Sequence, residues 1–143
     1  MPRRSMGVDM KQALRYLCLV LISVFFLWGG VSHFTATAMF VKMIPFLPFR
    51  VEVVYITGVI EFIAVACLWV PRLRQMTGNA LFIYTVCVTP ANVYMMLHPE
   101  VFPGIGMTFH SLRLAGQVVL LAMIWWSTRV PAAKSMGAMP LSA

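Results

Sequence analysis

Val54-Tyr55-Ile56-Thr57-Gly58-Val59-Ile60-Glu61 begins near the head of an apolar run that extends from Val51 to Val70. That run is long enough to cross a bilayer, yet a carboxylate stands near its middle. With a helical rise of 1.5 Å per residue, Glu61 sits about 13 to 15 Å below the start of the run. An ionised side chain at that depth costs a few kcal/mol, so it must face protein or water and find a partner. What partners Glu61 is the question the remaining residues must answer.

Three further apolar runs flank this one: Tyr16 to Phe34, Thr77 to Leu97 and Met107 to Trp126. Each has about the 20 residues that a helix needs to span the hydrocarbon layer. Hydrophobic residues make up 61% of the sequence and charged ones 10%, a balance that excludes an ordinary soluble domain. Linkers this short leave no room for a second domain. The expected fold is all-α: an integral membrane four-helix bundle over residues 16–128, with a basic leader at 1–15 and a flexible tail at 129–143.

The net charge of +7 is a topology signal. Arg3, Arg4, Lys11, Arg15, Arg72, Arg74, Arg129 and Lys134 lie at the two termini and in the linker between spans 2 and 3. Only Lys42, Arg50 and Arg113 fall on the other side. The positive-inside rule therefore places both termini in the cytoplasm, and no nucleic-acid role is expected. Cys18, Cys67 and Cys87 stand singly inside spans, with no Cys-x-x-Cys pair, and read as small buried hydrophobes. The first span resembles a signal peptide in its basic leader and in Ala36-Thr37-Ala38. Its apolar core is longer than a signal peptide's, and three spans follow, so it is expected to remain as a transmembrane helix.

Polar residues recur along the spans. Span 1 ends in Trp28-Gly29-Gly30-Val31-Ser32-His33-Phe34, with paired glycines that permit close helix approach and a histidine three residues after Gly30. The linker from Thr35 to Arg50 carries Ile44-Pro45-Phe46-Leu47-Pro48-Phe49, whose prolines bar a regular helix and suggest a rigid flap that could lid a cavity. On span 2, Val54, Thr57, Gly58, Glu61 and Val65 share a face. Span 3 presents Thr85, Thr89 and Asn92 as a stripe, with Pro90 expected to kink it. Span 4 carries His110, Arg113 and Gln117, then Trp125 and Trp126 at the inner interface. The candidate polar site is His33, Glu61, Thr89, Asn92, Arg113 and Gln117, gathered in the outer half of the bundle above an almost unpolar inner half. Arg113 is the expected counter-charge for Glu61, directly or through Asn92 and Gln117. The competing reading is a buried ion pair that only fixes helix register.

These residues resemble the DoxX family of small four-span bacterial membrane proteins. The marks are Gly30-Val31-Ser32-His33-Phe34, Ile44-Pro45-Phe46-Leu47-Pro48, Tyr55 to Glu61, Pro71-Arg72-Leu73-Arg74, Pro90-Ala91-Asn92-Val93-Tyr94-Met95 and Leu112-Arg113-Leu114-Ala115-Gly116-Gln117. Departures fall at Phe46, Ala64-Val65 and Ala115. The resemblance implies a multi-pass bundle in the bacterial cytoplasmic (inner) membrane, associated with membrane oxidoreductase assemblies.

From this follows the expectation of a subunit of a quinone-linked redox assembly. It would have no electron carrier of its own, a quinone as the ligand it would bind, and a membrane or periplasmic redox protein as partner. Enzymatic activity extends at most to a share in an oxidoreductase complex, and no catalytic residue or metal ligand is assigned. The alternatives are a small proton-coupled transporter, which would need homo-oligomers to enclose enough volume, and a purely structural or assembly subunit.

Overall fold

The computed structural model describes residues 5–129. Helix α1 (Ser5–Thr35) is followed by a short α2 (Thr37–Met43), then α3 (Arg50–Leu68), α4 (Arg74–Cys87), α5 (Thr89–Leu97), a 3₁₀ turn at Pro99–Val101, and α6 (Met107–Thr128). Four stretches are long and apolar enough to cross a membrane: Met10–Thr35, Arg50–Leu68, Arg74–Leu97 and Met107–Thr128. Phe25, Trp28, Ile56, Ile63, Ile83, Val118 and Val119 are among many large apolar side chains left exposed. So much apolar surface on a helical bundle is lipid-facing, and the chain is a membrane protein.

Local chemistry explains where the helices stop. Ile44 precedes Pro45, and the proline ring disfavours helical geometry in the residue before it, so α2 ends at Met43. Phe49 then adopts a left-handed conformation, φ 50° and ψ 44°, to turn the chain into α3. The third span is one crossing in two pieces. Pro90 has no N–H to continue the ladder, and the chain breaks at Val88 and restarts with the proline in the first turn of α5, where a donor is not needed.

Helix α1 begins at Ser5 and so runs through much of the basic leader before it enters span 1. Between Thr35 and Arg50, α2 occupies the first half, and Ile44–Phe49 is non-helical as its prolines require. The tail expected at 129–143 lies, beyond Arg129, outside the described residues.

Buried apolar side chains form two clusters. Leu19, Ile22 and Phe26 of α1 meet Val65 and Leu68 of α3, Leu81 of α4, and Leu120 and Ile124 of α6. At the opposite end, Met43, Met95 and Phe102 pack with Met39, Phe40 and Tyr94. The end bearing the α3–α4 turn also gathers basic side chains on aromatic rings. Arg74 lies 5.8 Å from the Tyr16 ring centroid and Arg129 lies 3.4 Å from that of Trp125. This half is less apolar than expected: the Trp69 indole donates to Ser23 Oγ at 3.0 Å, and Arg15 Nε donates to the Ser127 carbonyl at 2.9 Å.

The most extensive helix contact joins α1 to α3. Gly58 makes it close. A Cβ there would stand 2.9 Å from His33 Cβ and 3.3 Å from the Gly30 carbonyl oxygen, neither of which can swing aside. Gly58→Ala is therefore expected to force α1 and α3 apart and destabilise the fold by about 1–3 kcal/mol. Thermal unfolding in mild detergent reads this as a lowered midpoint.

Candidate functional site

Glu61 comes from the middle of α3 and is 5% exposed. Its Oε1 accepts a 2.6 Å hydrogen bond from Tyr84 Oη on α4 and lies 3.5 Å from His33 Nε2 on α1. Oε2, on the other side of the carboxyl group, is buried and has no hydrogen-bond partner. It faces Gly29, where an added Cβ would come within 2.7 Å of it. Gly29 is half-buried and contributes no side chain of its own beside this oxygen. A larger residue here would press on the end of the Glu61 side chain.

His33 is held on both flanks. Its ring lies 4.2 Å from the Phe40 ring of α2, and its Nδ1 is 3.4 Å from Thr57 Oγ1. The Thr57 hydroxyl also sits 2.9 Å from the Val53 carbonyl and 2.8 Å from the Val54 carbonyl, so its single proton goes to its own helix. At 3.4 Å its contact with Nδ1 is a long one, and which ring nitrogen carries the hydrogen depends on the tautomer. Nε2 is the nitrogen turned toward Oε1 of Glu61.

The remaining candidates do not join this cluster. Gln117, on α6, donates to the Thr85 carbonyl at 2.6 Å and to Thr89 Oγ1 at 2.9 Å, and accepts from Asn92 Nδ2 at 3.1 Å. No hydrogen bond among the described residues links this network to Glu61. Arg113 is also elsewhere: its Nη1 donates to Met95 Sδ at 3.5 Å, and no carboxylate among the described residues lies within ion-pair distance of it. The expected Glu61–Arg113 pair is thus replaced by Glu61–Tyr84 and Glu61–His33. Depth and rotation both explain the difference. Arg113 lies about 9 Å from the start of α6, whereas Glu61 lies about 16 Å from the start of α3. Along α6, His110 and Gln117 share a face, with Arg113 turned about 60° from it.

Tyr84 is the residue that sequence reading passed over. A tyrosine in the middle of a span was the available signal, because a buried phenol needs a hydrogen-bond partner. His110 is 1% exposed with neither ring nitrogen partnered, and it belongs to neither network. Among the described residues, no group of three or more His, Cys, Asp or Glu side chains could hold a metal ion.

Removing the Tyr84 hydroxyl strips Oε1 of its one short hydrogen bond. Tyr84→Phe is expected to destabilise the protein by about 1–3 kcal/mol. It should cost much less when Glu61 is already Leu, the non-additivity expected of directly bonded partners. Reversible unfolding of the two single variants and the double variant in mixed micelles checks both statements.

Residues 22–130 match the model of a family described as Domain of unknown function (DUF8561). No curated protein and no solved structure matches the chain.

Proposed function

We propose that this chain, which belongs to the DUF8561 family, is a membrane subunit of a quinone-linked redox assembly, with His33, Glu61 and Tyr84 as its ligand-facing groups. The observation that carries the reading is Glu61 Oε2, buried and unpartnered beside a glycine. Buried polar atoms are nearly always satisfied, and an orphaned carboxyl oxygen in the bilayer costs of order 1–3 kcal/mol unless something binds it. A quinone carbonyl would meet the free oxygen of the Glu61 carboxyl group, on the side where Gly29 contributes no side chain. Tyr84, bonded to the other carboxyl oxygen, would hold the carboxyl plane in place.

Reduction of a quinone to a quinol takes up two electrons and two protons. In this reading both protons come from the aqueous phase and pass one after the other through the Glu61 carboxyl group, and a partner protein supplies the electrons, because the sequence has no cluster-binding cysteine motif. The likeness of the motifs around His33, Glu61, Asn92 and Arg113 to DoxX proteins supports the same assignment. The charge bias would turn the α2 end of the bundle away from the cytoplasm, and the setting this reading implies is a bacterial inner membrane. Thr89, Asn92 and Gln117 have one another as partners and read as the bonds that hold α4, α5 and α6 in register.

A proton-coupled transporter is the second reading, supported by a carboxyl group and an imidazole facing each other inside the bundle. The two diverge on Glu61→Gln. Purified in mild detergent, the natural protein is expected to retain a quinone detectable by mass spectrometry of extracted lipids. Glu61→Gln and Gly29→Ala should lose it while keeping a cooperative unfolding transition. If the natural protein carries no quinone but acidifies or alkalises proteoliposomes in a Glu61-dependent way, the transporter reading replaces the first. If neither occurs and Glu61→Gln only unfolds earlier, the cluster is structural.

A further inference from the structure

Arg113 stands apart from the Glu61 site and has a problem of its own. A guanidinium stays protonated in proteins and offers five N–H donors. Here one of its nitrogens donates to a thioether, a weak acceptor, and no carboxylate among the described residues lies within ion-pair distance. A cation inside a transmembrane segment without a counter-charge is costly. About 9 Å from the α2-side end of its helix, Arg113 lies below the level where hydrocarbon gives way to head groups, within reach of it for so long a side chain.

The surroundings of Arg113 are a cleft of about 270 Å³ lined by Met39, Gly104, Ile105, Gly106, Phe109 and Arg113 itself. Apart from the guanidinium, its lining side chains are apolar or absent. Nothing lies within 4 Å of where a side chain would stand at Gly104 or Gly106, so the mouth is open on that side. The volume is at the small end for ligand pockets, room for a head group and not for a whole lipid. Phe109 and Leu112, both more than half exposed, continue the apolar wall toward the bilayer.

We infer that this cleft binds a phosphate group at the membrane surface, with Arg113 as its charge partner. The chemistry follows from the donor set: a planar, bidentate cation at the base of an otherwise apolar recess suits an oxyanion carried on an amphiphile or entering alone. The helix α6 start adds N–H groups with no side-chain cap on the same side of the recess. An anionic phospholipid head group and free inorganic phosphate share this chemistry. The inference does not depend on the quinone reading, since none of the cleft residues contacts Glu61 by hydrogen bond or ion pair.

The test uses the full chain in nanodiscs of phosphatidylcholine. Phosphatidylglycerol is titrated in one arm and inorganic phosphate at constant ionic strength in the other, with thermal midpoint and native mass spectrometry as readouts. The natural protein is expected to show saturable binding in at least one arm. Arg113→Gln should bind about tenfold or more weaker, the worth of one charge-assisted hydrogen bond. Arg113→Lys should fall between them. Met39→Trp, which keeps the cation and fills the cleft, should lose binding as well, and stands in should Arg113→Gln fail to fold. Saturation with phosphatidylglycerol alone assigns the site to a lipid head group, whereas saturation in both arms shows that the phosphate group suffices. Non-saturable uptake of phosphatidylglycerol with no response to phosphate, or equal binding by Arg113→Gln or Met39→Trp, overturns the inference and leaves an arginine that merely reaches for any lipid.

Discussion

A carboxyl group in the middle of a hydrocarbon layer has to be satisfied from within the protein, and the arrangement of α1, α3 and α4 follows from how Glu61 meets that demand. Only a close approach of α1 brings His33 to within 3.5 Å of it, and only glycine at position 58 permits that approach. Tyr84 then ties α4 to the same oxygen. Three helices are thus fixed around one side chain whose second oxygen is left without a partner. Within this single carboxyl group one oxygen is doubly attended and the other bare, and the proposed ligand would remove that imbalance.

The contrast with Gln117 makes the point. Its amide donates twice and accepts once, to partners on α4 and α5, with distances between 2.6 and 3.1 Å. Nothing on that side chain is left over. In lipid, a network of this kind contributes modestly to stability but strongly to which helix faces which, because a wrong pairing strands polar atoms in hydrocarbon. Thr85, Thr89 and Asn92 stay in one stripe across the break at Val88, and all three meet a single amide on α6.

Most of the architecture could be read from hydropathy and proline placement. Span lengths, the kink near Pro90 and the non-helical Ile44–Phe49 segment all follow from rules that act over a few residues. The membership of the site was only partly readable. His33, Thr57 and Glu61 announced themselves by depth and helical face, and Gly29, Gly30 and Gly58 by spacing. Tyr84 and Arg113 did not resolve. Whether Glu61 meets a phenol or a guanidinium depends on how far each helix is rotated and translated against its neighbours, and that is set by packing between helices. Charge complementarity pointed to Arg113; about 7 Å of difference in depth along the two helices decided against it. α2 escaped because a seven-residue helix carries too little periodicity to stand out from a linker.

The bond from Gln117 to the Thr85 carbonyl also bears on biogenesis. The segment Met107–Thr128 has the lowest mean hydropathy of the four spans, 1.4, because it carries His110, Arg113 and Gln117. On its own it is the weakest candidate for spontaneous partition out of the translocation channel. The carbonyl that receives Gln117 belongs to the third span, which is made before the fourth. A polar acceptor already in the lipid is expected to ease the lateral exit of the fourth span.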